Sequence, residues 1–204
     1  MPTPGNEPSA AAVIVPVKAF RLAKVRLAPA LSATERDDLA RRMAEQVVRA
    51  AAPLPVAVVC DDDDVRAWAE AHGARVLWCP GRGLNGAVED GVGILAAEGV
   101  DRVIVAHADL PLASSLAFLA AGDGVTLVPD RREDGTNVAC VPAAAGFRFA
   151  YGPGSFDRHK AETDRLGLAL RVVRDPALGW DVDVPADLDY AASPTPTVLG
   201  GRCP

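Results

Sequence analysis

Histidine and cysteine are scarce in this chain of 204 residues, which has three histidines and four cysteines. The cysteines at positions 60, 79, 140 and 203 form no C-x-x-C pair, and no histidine lies near enough to suggest a zinc site. The first three sit within or at the end of apolar runs. We therefore expect small buried residues in a reducing compartment, and no secreted disulfide framework.

Long apolar runs, a basic N-terminal flank and an excess of positive charge are absent too. No run approaches the length of a membrane span, and the first ten residues lack the features of a signal peptide. The formal net charge of −6 disfavours nucleic acid as a partner. These absences predict a cytoplasmic protein with neither a membrane nor a nucleic-acid partner.

The remaining composition is ordinary for a globular protein, half hydrophobic and 24% charged, in a chain long enough for one domain. Residues 1–10, rich in proline, are interpreted as a disordered lead-in, and residues 193–204 as a flexible tail. Residues 11–192 should then form a single domain.

Apolar, β-branched runs alternate with segments of helical periodicity. Ser32 and Glu35 match a capping box at the start of the first helix. The alternation predicts parallel strands buried on both faces of an open, three-layer α/β sheet. After Asp130 the rhythm breaks, which predicts a small C-terminal antiparallel lobe. The predicted strands are AAVIVPV, PVAVVC, ARVLWC, DRVIVAHA and GVTLVPD, then TNVACVPA, FRFAYG and LALRVV.

Positive charge is concentrated after the first predicted strand, at Lys18, Lys24 and Arg26. Ligands of open α/β sheets bind beyond the carboxyl ends of the strands, and lysine and arginine are common partners of phosphate. One interpretation is a loop that faces a bound polyanion, and the other is a solvated basic turn. In both cases we expect the Lys24 side chain to be exposed.

Aspartates mark two further junctions. Asp109 directly follows the fourth predicted strand, where packing does not explain a carboxylate, and Asp181 and Asp183 precede a predicted helix. Carboxylates from separate loops, with phosphates completing the shell, are typical of Mg²⁺ sites. For Asp183, a helix N-cap ahead of Pro185 is a strong alternative, and the two roles are compatible.

Other polar stretches allow a structural interpretation beside a binding one. The aspartates at 61–64 are best explained as a helix N-cap and first turn. Residues 83–87 are either a turn with Asn85 as N-cap or bare backbone that lets a nucleotide lie close. The turn before Ser155 leads into a helix start suited to an anion. His159, inside that helix, is interpreted as structural.

Six stretches in consistent order, from about Ala11 to Ala192, together resemble the 2-phospho-L-lactate guanylyltransferase family. Its bacterial members include phosphoenolpyruvate guanylyltransferases, and it acts in making the deazaflavin coenzyme F-420. The pairing of DGTN with YGPGSF and a following histidine is more specific than ADLPL, which many nucleotidyltransferases carry. The stretches are VPVK…LAKVRLA, GLNGAVEDG, ADLPL, PDRREDGTNVACV, YGPGSFDRH and DVDVPADL.

The resemblance implies a Rossmann-like nucleotidyltransferase fold with a mostly parallel central sheet, and Mg²⁺ at Asp109 and Asp183. It implies that GMP passes from GTP to the phosphate of a three-carbon acid and that pyrophosphate leaves, with phosphoenolpyruvate favoured over 2-phospho-L-lactate and 3-phosphoglycerate. Catalysis would rest on positioning and charge neutralisation by Asp109 and the basic loop. The implied acid site is Thr136, Gly152 and Ser155, and the implied nucleotide site is Lys18, Lys24, Arg26, Asp61, Gly83 and Asn85.

Two other functions stay open at this point. A nucleotidyltransferase acting on molybdopterin or a sugar phosphate usually carries a glycine-rich first loop, and this loop has no glycine. A phospho-receiver module needs an aspartate at the end of its third strand, where this chain has Cys79 and Pro80. The oligomeric state is also open, with a homodimer among the alternatives.

Overall fold

The computed structural model describes residues 11–192, so the predicted lead-in, the predicted tail and Cys203 lie outside the described residues. Over this range, no helix is long and apolar enough to cross a membrane. The strands are β1 (Ala11–Pro16), β2 (Val56–Cys60), β3 (Arg75–Trp78), β4 (Arg102–Ala106), β5 (Val125–Pro129), β6 (Thr136–Pro142) and β7 (Leu170–Val172).

These strands form one sheet in the order β3-β2-β1-β4-β6-β5-β7. Only β6, among the described strands, runs antiparallel to its neighbours. The predicted α/β class with a mostly parallel sheet is therefore confirmed. The α-helices are α1 (Ala33–Ala50), α2 (Asp63–Ala71), α3 (Gly83–Ala97) and α4 (Ser155–Arg165), and 3₁₀ helices lie at Phe20–Leu22, Val25–Leu27, Ala117–Ala120, Ala143–Ala145 and Pro185–Ala192.

Helix starts follow the capping chemistry read from the sequence. The Glu35 amide donates to Ser32 Oγ at 3.3 Å, and the Ser32 amide donates to Glu35 Oε2 at 2.8 Å, which completes the capping box of α1. Asp62 caps α2, because its Oδ1 accepts from the amides of Asp64 and Val65. The N-cap interpretation of the acidic run is confirmed.

Alternate residues of the buried strand β1 enter two separate cores. Val13 and Val15 pack on the side covered by α1 and α2, whereas Ile14 packs on the side covered by α3 and α4. Helix α3 lies very close to the sheet, since a Cβ on Gly91 would come within 3.0 Å of a Val59 methyl and 3.1 Å of the end of Ile14. Cores on both faces account for the near-continuous apolar character of the strands.

The antiparallel strand expected after Asp130 is present, but it belongs to the central sheet and not to a separate lobe. Strand β6 is inserted between β4 and β5 and pairs antiparallel with both. Its first six residues are buried, with Val138 and Cys140 in the core on one face of the sheet and Ala139 and Val141 in the core on the other. An edge lobe would leave one of those faces exposed to water.

The predicted strand FRFAYG, at residues 147–152, does not form. Its backbone amides donate to side chains of the neighbouring helices and are not available for pairing with a strand. The donors and acceptors are Arg148 to Glu162, Phe149 to Glu89, Ala150 to His159 and Tyr151 to Asn85, at 2.8–3.0 Å.

The chain order creates a crevice beside β1. The chain runs outward from β1 to β2 and β3, then returns to place β4 on the other side of β1. The loops that follow β1 and β4 therefore diverge. At such a switch point, beyond the carboxyl ends of the strands, an open α/β sheet binds its ligands.

Candidate active site

A cleft of about 430 Å³ opens at this switch point. The loops after β1, β2 and β4 line it together with the first turn of α3, and apolar side chains such as Phe20, Leu22 and Met43 form part of its wall. The prediction that these strand ends converge is confirmed. Of the predicted site residues, the cleft brings together Lys18, Lys24, Asp61, Gly83 and Asp109.

Lys24 sits between the two short 3₁₀ helices of the basic loop, in a left-handed backbone conformation with φ 54° and ψ 36°. This conformation is costly for a residue with a Cβ, and such residues cluster at functional sites. Its Nζ donates to Asp109 Oδ2 at 2.5 Å and to Asp183 Oδ1 at 3.0 Å. The expectation that the side chain is exposed is wrong, since only 12% of it is accessible.

In the cluster formed by Lys24, Asp109 and Asp183, Lys24 and Asp109 each favour the charged form of the other. Burial opposes the charged form of Lys24, but Asp109 and Asp183 outweigh it and raise the Lys24 pKa. Burial likewise opposes ionisation of Asp109, yet Lys24 and His107 lower the pKa of that carboxyl on balance. Both partners are therefore charged at neutral pH. For Asp181, burial and the nearby Asp109 raise the pKa.

Two carboxylates of the cluster fit a divalent cation. Asp109 Oδ1 is buried and has no hydrogen-bond partner among the described residues, and the Asp183 side chain is 44% exposed. Mg²⁺ commonly takes one or two protein carboxylates and completes its shell with substrate phosphates and water. The shared Lys24 ammonium shows that the two carboxylates already converge on one cation.

The N-cap alternative for Asp183 is not what the structure shows. The amides of Asp183 and Val184, which precede the 3₁₀ helix, donate to the carboxylate of Asp187 inside it, and the Asp183 carboxylate contacts Lys24. The Asp183 side chain is turned toward the basic loop, with Arg26 Nη1 at 3.9 Å and Lys24 closer.

The other three cations of the loop after β1 differ in their exposure and in their neighbours. Lys18 is exposed and lines the cleft. Arg26 is 75% exposed and lies beside Asp183 at the rim of the cluster. Arg21 pairs with Asp62 at 2.5 Å, away from the two carboxylates. The loop thus provides one buried ammonium and two accessible cations near the cleft.

Of the other predicted nucleotide-binding residues, two line the cleft and the third does not. Asp61 and Gly83 line the cleft, and Gly83 begins α3 with φ +62°, a conformation that favours glycine. Asn85 does not line it and is not an N-cap, because it lies inside α3. Its Oδ1 accepts from the Tyr151 amide and so ties α3 to the following loop.

The predicted acid-binding residues lie on the α4 side of the sheet. Thr136 and Ser155 are each 2% exposed, and Ser155 Oγ accepts from the Thr136 amide at 3.0 Å. His159 is fully buried, with Nε2 accepting from the Ala150 amide, so its Nδ1 donates to Thr136 Oγ1. Gly152 is exposed in the turn before α4, with φ +118°. The structural interpretation of His159 is confirmed.

His107 is a cleft residue that sequence reasoning missed. Its Nε2 is buried without a hydrogen-bond partner among the described residues, and its ring contacts the Tyr151 ring at a centroid distance of 4.7 Å. Burial lowers the His107 pKa. The sequence feature that could have indicated a site role for His107 is its position two residues before Asp109, after the same strand. Through this contact the cleft adjoins the turn that carries Gly152.

The model of one family, described as "Guanylyl transferase CofC like", matches residues 11–191. The chain belongs to this CofC-like guanylyltransferase family.

Curated proteins similar to this chain match most of its length. A phosphoenolpyruvate guanylyltransferase from Sphaerobacter thermophilus is 35% identical over 192 residues, which cover 90% of this chain and 93% of the relative. A 2-phospho-L-lactate guanylyltransferase from Methanothermobacter thermautotrophicus is 36% identical over 184 residues, covering 86% and 81%. The recognised resemblance is confirmed.

Solved structures share the fold of this CofC-like chain at low identity. A protein from Desulfovibrio desulfuricans, provisionally described as a nucleotide-diphospho-sugar transferase, has a TM-score of 0.71 at 16% identity, covering 90% of this chain and 86% of that one. A 4-diphosphocytidyl-2C-methyl-D-erythritol synthase from Anaerococcus prevotii has a TM-score of 0.59 at 11% identity, covering 89% and 95%. The nucleotidyltransferase variant of the Rossmann-like fold is confirmed.

Proposed function

We propose that the protein transfers GMP from GTP to the phosphate of phosphoenolpyruvate, with release of pyrophosphate, in the biosynthesis of coenzyme F-420. The observation that carries the proposal is the cleft itself, where Lys18, Lys24 and Asp109 converge at the switch point of a chain that belongs to the CofC-like family. Two positive charges and a carboxylate in one cleft suit a metal-bound triphosphate.

The reaction needs no protein nucleophile. An oxygen of the acceptor phosphate attacks the α-phosphorus of GTP and forms a new P–O bond, while the bond from that phosphorus to the pyrophosphate oxygen breaks. Two anions must approach each other, so catalysis consists of positioning and of offsetting negative charge. Lys18 and Arg26, both exposed near the cleft, would hold phosphate oxygens, and Lys24 would contribute its ammonium from the cleft wall.

Asp109 and Asp183 would hold Mg²⁺ together with the triphosphate. The free Asp109 Oδ1 and the accessible Asp183 carboxylate support this assignment. When bound, the ion supplies charge neutralisation and a fixed orientation of the phosphates. The groove along Asp61 and Gly83 would take the nucleoside.

The acceptor is proposed from the relatives and from the neighbourhood of the cleft. Bacterial relatives at 31–38% identity are named phosphoenolpyruvate guanylyltransferases, although a 2-phospho-L-lactate enzyme is as similar. The turn with Gly152 adjoins the cleft through Tyr151 and His107. We propose that this turn, with Thr136 and Ser155 behind it, holds the acid.

Pyrophosphate release with GTP, Mg²⁺ and each of phosphoenolpyruvate, 2-phospho-L-lactate and 3-phosphoglycerate tests the proposal. We expect the highest kcat/KM with phosphoenolpyruvate. Asp109→Asn should lower the rate by about 10²-fold or more, because it removes one ligand charge. Preference for another of the three acids would overturn the acceptor assignment. Release with none of them would overturn the function.

A further inference from the structure

A second carboxylate lies directly behind Asp183, outside the cleft. Asp187 is 0% exposed, and its Oδ2 accepts hydrogen bonds from the amides of Asp183 and Val184, both at 2.8 Å. A fully buried carboxylate that does not line the cleft cannot itself touch a cleft ligand. It holds the backbone of Asp183, the residue proposed to bind the metal ion.

The other oxygen of Asp187 is held by two arginines of the loop after β5. Its Oδ1 forms ion pairs with Arg131 and, at 3.2 Å, with Arg132. Burial would raise the Asp187 pKa, but the Val184 and Asp183 amides and Arg131 lower it on balance. A buried charge with this many donors is costly to lose, because the donors are then left unpaired.

Arg131 also contacts Trp180 and Asp181, which lie just before Asp183 in the chain. Its Nη1 donates to the Asp181 carbonyl at 3.1 Å, and its guanidinium stacks over the Trp180 ring at 4.4 Å. On the cleft side, the Val182 amide donates to the Asp109 carbonyl at 3.3 Å. Residues 180–184 are thus tied to the loop after β5 and to the loop that carries Asp109.

We infer that Asp187 is a positioning residue: with Arg131 it fixes the Asp183 backbone so that the Asp183 carboxylate meets the same cation as Asp109. The inference rests on the proposed function for the identity of that cation. Residues 180–184 belong to no strand and lead into a short 3₁₀ helix. Their local backbone preferences alone would therefore not fix the position of the Asp183 carboxylate relative to Asp109.

Asp187→Asn tests the inference, because a carboxamide replaces one of the two acceptor oxygens by an NH₂ donor group where four donors converge. Asp175→Asn is the matched control, since Asp175 Oδ1 also accepts from two amides, Ala177 and Leu178, in the same connection. Two quantities are measured: the affinity for Mn²⁺ in the presence of GTP without acceptor, and hydrogen exchange at the Asp183 and Val184 amides.

We expect Asp187→Asn to weaken Mn²⁺ binding by about 10- to 100-fold, as for other partners of metal ligands, and to speed exchange at both amides. Asp175→Asn should leave both quantities unchanged. Equal Mn²⁺ affinity in the two variants, or unchanged exchange in Asp187→Asn, would overturn the positioning role. If Asp187→Asn does not fold, Arg131→Gln keeps the two amide bonds and should weaken Mn²⁺ binding to a smaller extent; no weakening there would overturn the role too.

A failure of the proposed function has a different signature. In that case wild type would bind Mn²⁺ no better than Asp109→Asn and Asp183→Asn do. The exchange rates of the Asp183 and Val184 amides would still decide whether Asp187 positions this segment.

Discussion

Lys24 places an ammonium between the two carboxylates that are proposed to bind Mg²⁺. One positive charge of the protein therefore already offsets part of the negative charge of Asp109 and Asp183. If Asp109 and Asp183 held Mg²⁺, the Lys24 ammonium would share these carboxylates with the ion or leave them, and on leaving it would be free to contact phosphate. In the structure Lys24 is a counter-ion to both carboxylates, and a contact with phosphate is the role proposed for it.

Lys24→Met should separate these two roles. Without the ammonium, Asp109 loses its ion pair with Lys24, and Asp183 is left with Arg26 Nη1 at 3.9 Å. We expect a loss of about 1–3 kcal/mol in the free energy of unfolding, less than for a fully buried pair. Mg²⁺ alone should restore much of this loss, because the ion can take the ammonium's place. The melting temperature with and without Mg²⁺, in the absence of nucleotide, measures both effects.

Lys18→Met is the control for this substitution, since Lys18 lines the cleft but is exposed. It should weaken GTP binding without a comparable loss of stability. If Mg²⁺ alone stabilises wild type as strongly as it stabilises Lys24→Met, Lys24 does not occupy the cation position.

Helix α4 is held to the sheet by a neutral histidine. His159 accepts from the Ala150 amide and donates to Thr136 Oγ1, and it packs against the Tyr151 ring at a centroid distance of 4.9 Å. Burial, the largest cause, and the nearby His107 lower its pKa from 6.5 to about 4. The turn with Gly152 is thus anchored through an imidazole that must stay neutral, with its proton on Nδ1.

The free energy of unfolding should therefore rise with pH between about 4 and 6.5. In that window the unfolded chain holds a proton on His159 that the folded chain does not, which lowers stability by up to about 3 kcal/mol at the acid end. Urea unfolding at several pH values should show a shallower rise in His159→Gln than in wild type. An identical slope in both proteins would contradict a depressed pKa at this position.

At the scale of the whole molecule, the cleft is assembled from four separate connections of the sheet. The loops after β1, β2 and β4 and the start of α3 contribute to it, while the turn before α4 lies next to it. A ligand bound there contacts elements from both layers of helices. Its binding should stabilise the complete fold and not one segment.

GTP with Mg²⁺ at about one hundred times its dissociation constant should stabilise the folded chain by about 2.7 kcal/mol. For a protein of this size that corresponds to a rise of roughly 5–10 °C in the melting temperature. Asp109→Asn should show a smaller rise at the same concentrations. An unchanged melting temperature of wild type would contradict nucleotide binding in the cleft.

The order of strands and helices up to β6, the capping box of α1 and the N-cap of α2 could be predicted from the sequence, because each depends on residues a few positions apart. The strand predicted at residues 147–152 does not form. The convergence of Lys18, Lys24, Asp61 and Asp109 could be predicted as well. Parallel strands bring their carboxyl ends to one edge, whatever their exact order.

Only the tertiary structure decided what those side chains contact. Lys24 is 85 residues from Asp109 and 159 from Asp183, so no local sequence pattern reveals that Lys24 forms ion pairs with both carboxylates. The place of β6 inside the sheet and the bonds that keep residues 147–152 out of it also depend on partners far along the chain. Periodicity and capping are encoded within one or two turns of the chain, whereas burial and ion pairing arise only when distant segments meet.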